Sequence, residues 1–155
     1  MTNNYILARL KKTFKLSNQK IVELFASANY GIKEEKVVNF LRHNQNSKFE
    51  KCSDIQLASF LNGFINENRG KQDGVQPAPE KKLNNNIIFR KLKIALNLKS
   101  EEVLEFLSSV NFSIGKSELS SFFRKEGTRQ YRECQDQVLR NFLNGMEIKY
   151  LGREN

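Results

Sequence analysis

An internal repeat constrains the fold of this 155-residue chain more than any other feature of its sequence. A shift of 82 residues aligns residues 4–67 with residues 86–149 without a gap, and 18 of the 64 aligned positions are identical. Unrelated segments would agree at roughly one position in sixteen. The sequence therefore predicts two related units, 1–70 and 84–155, joined by a linker over 71–83 that holds both prolines.

The densest match lies near the end of each unit, where CSDIQLASFLNG aligns with CQDQVLRNFLNG. We assign structural roles to the residues that recur there and just upstream. In the first unit these are Arg42, Cys52, Asp54, Phe60, Leu61, Asn62 and Gly63, and in the second Arg124, Cys134, Asp136, Phe142, Leu143, Asn144 and Gly145.

Apolar residues recur at helical spacing throughout both units. In the last segment of the first unit, Leu57, Phe60, Leu61 and Phe64 occupy positions i, i+3, i+4 and i+7 of one helix face. No stretch alternates for long enough to indicate a strand. The predicted fold class is all-α, with two tandem pseudo-symmetric units of about four helices each and no sheet. Because a unit of ~70 residues buries only a small core, we expect the two units to pack together.

Several residues predict where helices begin and end. Ser17 and Ser100 suit the residue that caps the second helix of each unit. Asn29 and Asn111 suit the end of that helix, because Asn tolerates the left-handed conformation.

Two recurring pairs predict local geometry near the last helix. Gly63 lies inside a helical segment, where Gly costs about 1 kcal/mol relative to Ala. It indicates one of two things. Either another helix approaches closely at this position, for example at an interface between the units, or the helix ends after Asn62. Asp54 is expected to begin and cap the last helix and to accept a hydrogen bond from Arg42. The same expectations hold for the second unit.

The recurring motif has a counterpart in a known family. Together with NNNI and RKLKIALNLK in the second unit and F-L-N-G-x-I-x-x-x-R-G at Phe60–Gly70, it resembles the YehS-like family of bacterial proteins. The resemblance covers essentially the whole chain. It implies a bacterial cytoplasmic protein with two tandem helical domains. Because the function of the family is unassigned, the resemblance carries over no catalytic or binding residues.

The sequence offers little catalytic chemistry. It contains no phosphate-binding glycine loop and no hydrolase or metalloprotease motif, so we expect no enzyme activity and no cofactor. One His and two Cys, without a C-x-x-C motif, also predict no metal site. Cys52 and Cys134 each precede a helix, where the dipole favours the thiolate. A redox-sensitive pair is one interpretation, and a buried packing residue in each unit is the favoured one.

The net charge of +9 is the clearest indication of a partner. Basic residues cluster on the first helix of each unit and away from its apolar stripe, where they predict a surface that attracts phosphates. A second possibility is a helix-turn-helix whose reading helix carries further cations, although a generic helical hairpin has the same outline. The proposed nucleic-acid-binding residues are Arg9, Lys11, Lys12, Lys15, Arg90, Lys91, Lys93, Lys116, Arg124 and Lys125.

These observations predict a non-catalytic binding protein whose partner is RNA or DNA. The alternatives are a protein-interaction or self-association module that uses a groove between the units, and a thiol redox sensor. No apolar run reaches the ~20 residues that a membrane span requires, and no secretory signal is recognisable, so we expect a cytoplasmic protein without a membrane partner.

Overall fold

A computed structural model describes residues 1–152, so the last three residues of the predicted second unit lie outside the described range. These residues form helices and no strand, which confirms the all-α prediction. They divide into a first unit, Met1–Leu83, and a second unit from Asn84 onward. The helices are α1 (Asn3–Thr13), α2 (Asn18–Ser27), α3 (Glu34–Leu41), α4 (Asp54–Arg69), α5 (Asn85–Ala95), α6 (Ser100–Ser108), α7 (Lys116–Ser121) and α8 (Asp136–Leu151).

The caps of the second helix differ between the units. Ser17 caps α2 as predicted, and its side chain accepts a hydrogen bond from the Lys20 N–H. The prediction that Ser100 caps α6 is wrong, because Ser100 is already the first helical residue. Lys99 takes the cap position instead, and its backbone N–H donates to the Glu102 carboxylate at 2.9 Å. A helix start can therefore be fixed by the acid three residues inside the helix.

Left-handed residues end the first two helices of each unit. Asn29 and Asn111 have φ values of 63° and 59°, which confirms the predicted turn role. Lys15 and Asn97, after α1 and α5, both have φ of 53°. Lys15 is unfavourable in this conformation because its Cβ approaches the backbone carbonyl, whereas Asn is one of the residues that adopt it most readily.

A close helix crossing forms the centre of each unit. A Cβ at Gly63 of α4 would overlap the backbone carbonyl of Leu24 in α2, and a Cβ at Gly145 of α8 would overlap that of Phe106 in α6. Aromatic side chains fill the space around the crossing, as where the Phe25 and Phe60 rings lie 5.7 Å apart. The glycines therefore serve a close approach within each unit.

This geometry decides between the two predictions for the glycines. The helix-end interpretation is wrong, because α4 continues past Gly63 to Arg69 and α8 continues past Gly145 to Leu151. The backbone that each glycine approaches belongs to its own unit, which also replaces the expectation of an interface between units. The cost of glycine inside a helix is accepted where two backbones come too close for any side chain.

Candidate nucleic-acid interface

A buried Asn near the start of each unit holds the segment that leads into the last helix. The Asn4 side chain donates to the carbonyls of Phe40 and Glu50, both at 2.9 Å, and accepts from the Cys52 N–H at 3.0 Å. Asn4 is 9% exposed. Its amide thus binds three backbone groups that would otherwise be buried without partners.

Asn86 makes the same three bonds in the second unit. It donates to the carbonyls of Phe122 and Arg132 at 3.0 and 2.8 Å, and it accepts from the Cys134 N–H at 3.0 Å. The loop after α7 therefore has a fixed backbone path near the positions that carry its cations.

The Asn that precedes each buried Asn binds the recurring Asp of its unit. Asn3 donates to the Cys52 carbonyl at 3.1 Å and to the Asp54 carboxylate at 2.8 Å. Asn85 does the same to Cys134 and Asp136, and its bond to the Asp136 carboxylate lowers the pKa of that group. The two Asp residues are thus structural, as their recurrence suggested.

The predicted Arg–Asp pair is wrong. The Arg42 Nε donates to Asn39 Oδ1 at 2.9 Å, one turn back on α3, and the Asp54 carboxylate accepts instead from the Asn3 side chain and the Leu83 N–H. Asp54 begins α4 as predicted, but the cap is Ser53, whose side chain accepts from the Gln56 N–H. No hydrogen bond or ion pair to a described residue holds the Arg124 side chain, which is exposed.

Both thiols are buried packing residues. Cys52 and Cys134 are 1% and 2% exposed. Burial raises the pKa of each thiol to about 12. The neutral thiol is therefore the dominant form, which disfavours the redox-sensor interpretation because the thiolate is the reactive species.

The basic residues of the first helices are mostly engaged within their own unit. Arg9 donates to the Tyr5 hydroxyl at 2.7 Å, and Lys11 donates to the Leu16 carbonyl at 2.8 Å. In the second unit, Arg90 donates to the Phe123 carbonyl and the Lys93 ammonium lies 4.8 Å from the centre of the Phe123 ring. An external anion would therefore compete with Tyr5, Leu16 and Phe123 for these cations.

A smaller set of lysines, at the end of α1 and just after it, remains outward. Lys12 and Lys15 are exposed, and with Lys11 they border a shallow depression of about 550 Å³. Lys91 is half-buried on α5. The predicted surface on the first helices is thus strongest in the first unit.

The larger basic feature is a groove in the second unit, between the start of α6, α7 and the loop that follows. We call it the second-unit groove. It has a volume of about 1130 Å³. Its charged lining residues are Lys116, Glu118, Arg124, Arg129, Arg132 and Glu133.

The cations of this groove are weakly held by other residues. Lys116 lies 3.3 Å from Glu101, and both side chains are largely exposed, so the pair contributes little. Arg132 directs one guanidinium nitrogen to the carbonyls of Arg129 and Tyr131. Four cations therefore line one open groove, and two acids, Glu118 and Glu133, line it beside them.

Some of the cations predicted from the sequence lie at this groove. Lys116 and Arg124 line it, and Lys125, also predicted, is the exposed neighbour of Arg124. The predicted reading helix, α7, has only six residues, so the cations gather around a groove and not along a helix. Arg129 and Arg132 were missed because they lie in the loop, where periodicity gives no signal. The run KEGTRQYR, with three cations in eight residues, was the available clue.

Within 1–152, no three His, Cys, Asp or Glu side chains are arranged to hold a metal ion. None of the helices in that range has the length and apolar character needed to cross a membrane.

Comparison with known proteins agrees with the repeat. The family model described as a protein of unknown function (DUF1456) matches twice, at residues 3–70 and 85–152. The chain is 38% identical over 151 residues to the uncharacterized protein YehS of Escherichia coli (strain K12), covering 96% of each chain. No solved structure matches. The resemblance predicted from the motif is thus confirmed, and the chain belongs to the DUF1456 family as a tandem pair of its domains.

Proposed function

We propose that this protein is a non-catalytic nucleic-acid-binding protein of the cytoplasm that contacts phosphates through the second-unit groove. One observation carries the proposal: Lys116, Arg124, Arg129 and Arg132 surround a single open groove. Arg presents a planar fork of donors that matches two phosphate oxygens, and three of the four cations are Arg.

The size and chemistry of the groove favour a chain of phosphates over a small apolar ligand. At about 1130 Å³ the groove exceeds the usual range for small-molecule pockets, and charged and polar residues dominate its lining. A strand that passes along it would release counterions from several phosphates at once. Counterion release is the main source of affinity in sequence-independent binding.

The lysines at the end of α1 and just after it support the same function as a second contact. Lys11, Lys12 and Lys15 lie together around their own shallow depression. They replace the broader surface predicted for the first helices, because Arg9, Arg90 and Lys93 bind groups of their own unit.

The experiment is fluorescence anisotropy with labelled single-stranded RNA, single-stranded DNA and duplex DNA at several salt concentrations. We expect binding that weakens linearly on a log–log plot. If four cations each contact one phosphate of a single strand, the slope is about −3. A protein that binds none of the three probes at low salt does not have the proposed function.

Two triple variants with the same charge loss test the surface. The first is Arg124→Gln, Arg129→Gln and Arg132→Gln. The second is Lys11→Gln, Lys12→Gln and Lys15→Gln. We expect the first to reduce the salt slope by about 2 for single strands and the second to reduce it less. The opposite ranking would move the interface to α1.

A further inference from the structure

We propose that, of the two equivalent surfaces beside α3 and α7, only that of the second unit binds phosphate, because internal bonds engage the cations of the corresponding surface in the first unit. This inference rests on the proposed function. It adds which of the two related surfaces binds phosphate and which residue determines that difference. The deciding position is Arg132 in the second unit and Glu50 in the first, which the 82-residue shift places in register.

The first unit carries a network of side-chain bonds at this surface, which we call the first-unit polar network. The Lys36 ammonium lies 3.1 Å from one oxygen of Glu50, and the Asn39 amide donates to the other at 2.9 Å. Asn39 in turn accepts from Arg42 at 2.9 Å. Glu50 thus binds Lys36 of α3, and Asn39 binds Arg42, the C-terminal cap of that helix.

The acid of this network is held in its charged form. The bonds from Asn39 and Lys36 lower the pKa of Glu50. An incoming phosphate would face this carboxylate and would compete with it for Lys36. The adjacent depression is also small, at about 360 Å³.

The second unit has different residues at the same positions, and no such network forms. Glu118 stands for Lys36, Ser121 for Asn39 and Arg132 for Glu50. The Ser121 hydroxyl donates to the Glu118 carbonyl, on its own helix. Arg124, the counterpart of Arg42, has no side-chain partner among residues 1–152.

The backbone at the deciding position follows the same path in both units. The Glu50 N–H donates to the Asn39 carbonyl at 3.2 Å, and the Arg132 N–H donates to the Ser121 carbonyl at 3.1 Å. The carbonyls of Glu50 and Arg132 bind the buried Asn of their unit. The side chains therefore leave equivalent points of the fold with opposite charge.

The test is a titration of the full chain, labelled with ¹⁵N, with inorganic tripolyphosphate, followed by NMR. We expect saturable shifts in backbone signals around Arg124, Arg129 and Arg132 and none around Lys36 and Asn39. Equal shifts at the two surfaces, shifts around Lys36 and Asn39 alone, or no shifts at either surface would each overturn the inference.

Two variants then test the deciding position, each against a control with the same charge change. Arg132→Gln should weaken tripolyphosphate binding about tenfold, whereas Arg140→Gln, on exposed α8 surface outside the groove, should not. Glu50→Gln should add shifts around Lys36 and Arg42 that the exposed control Glu23→Gln does not add. If the NMR spectrum of the Glu50→Gln variant shows that it is folded, and tripolyphosphate still causes no shifts around Lys36 and Arg42, the role of Glu50 is contradicted.

These results separate the inference from the function on which it rests. Binding of tripolyphosphate in the second-unit groove without binding of any nucleic acid would refute the proposed function and keep the site. Binding of nucleic acid with no tripolyphosphate shifts in that groove would refute the site and keep nucleic-acid binding as the function, with its interface elsewhere.

Discussion

Asn4→Asp is a nearly isosteric substitution that should destabilise the first unit severely. The Asn4 amide nitrogen donates to the carbonyls of Phe40 and Glu50, and a carboxylate cannot donate to either. The carboxylate oxygen that replaces the nitrogen would instead face two carbonyl oxygens in a buried site. Only the bond from the Cys52 N–H could persist.

The magnitude follows from these bonds. Two lost hydrogen bonds cost about 1 kcal/mol each, and leaving two buried carbonyls opposite a negative charge adds a similar amount, for a total of about 4 kcal/mol. At 0.05–0.15 kcal/mol per residue, a unit of this size has a stability of about 4–12 kcal/mol. The variant should therefore lose a third or more of the stability of the unit.

The assay is urea unfolding followed by circular dichroism, with Asn44→Asp as the control. Asn44 is exposed in the loop after α3, so it makes the same charge change without burial. Asn86→Asp should match Asn4→Asp, since Asn86 makes the same three bonds. A loss no larger than that of Asn44→Asp would refute the role given to this amide.

The dependence of this variant on pH has a definite sign. The buried site raises the pKa of the new carboxyl in the folded protein above its unfolded value of about 3.9. The folded state then binds more protons than the unfolded state as the pH falls between these values. Part of the lost stability should return towards pH 4, because a protonated carboxyl can donate to one carbonyl.

Three further predictions concern the helix crossing, a left-handed residue and the thiols. Gly63→Ala should lose about 2 kcal/mol in urea unfolding, because the new Cβ overlaps the Leu24 carbonyl, and Gly31→Ala, with open space around it, should be neutral; equal effects would exclude the close crossing. Lys15→Asn should gain about 0.5–1 kcal/mol by the same measurement, and a loss would contradict the strain at φ of 53°. The two Cys thiols should label with a disulfide reagent at pH 8 about a thousandfold slower in the native protein than in urea, since burial raises their pKa from 9.0 to about 12; rapid native labelling would revive the redox interpretation.

The fold could be predicted because its main determinants repeat along the sequence. Helical spacing of apolar residues identified the helices, and the recurrence of Asn29 at Asn111 identified a left-handed turn. The roles of Asn3 and Asn4 could not be read in this way. Their partners lie 36 to 51 residues away in the chain and are mostly backbone groups, which carry no signature in the sequence.

The candidate site was less accessible to sequence reasoning for a related reason. Cations on a helix form a stripe that the sequence reveals, and this pattern predicted binding by Arg9 and Lys93. In the structure both contact groups of their own unit. Arg129 and Arg132 lie in a loop, and only the folded chain brings them beside Lys116. The number of free cations depends on which of them find internal partners.

The buried Asn of each unit has a consequence for how two copies of one domain can diverge. Asn4 and Asn86 bond to the main-chain carbonyls of Glu50 and Arg132, so these bonds do not depend on which side chain the position carries. Evolution can therefore reverse the charge at this position without disturbing the loop that presents it. In such an architecture the duplicated copy supplies a spare surface on which a new specificity can arise, while the other copy preserves the scaffold.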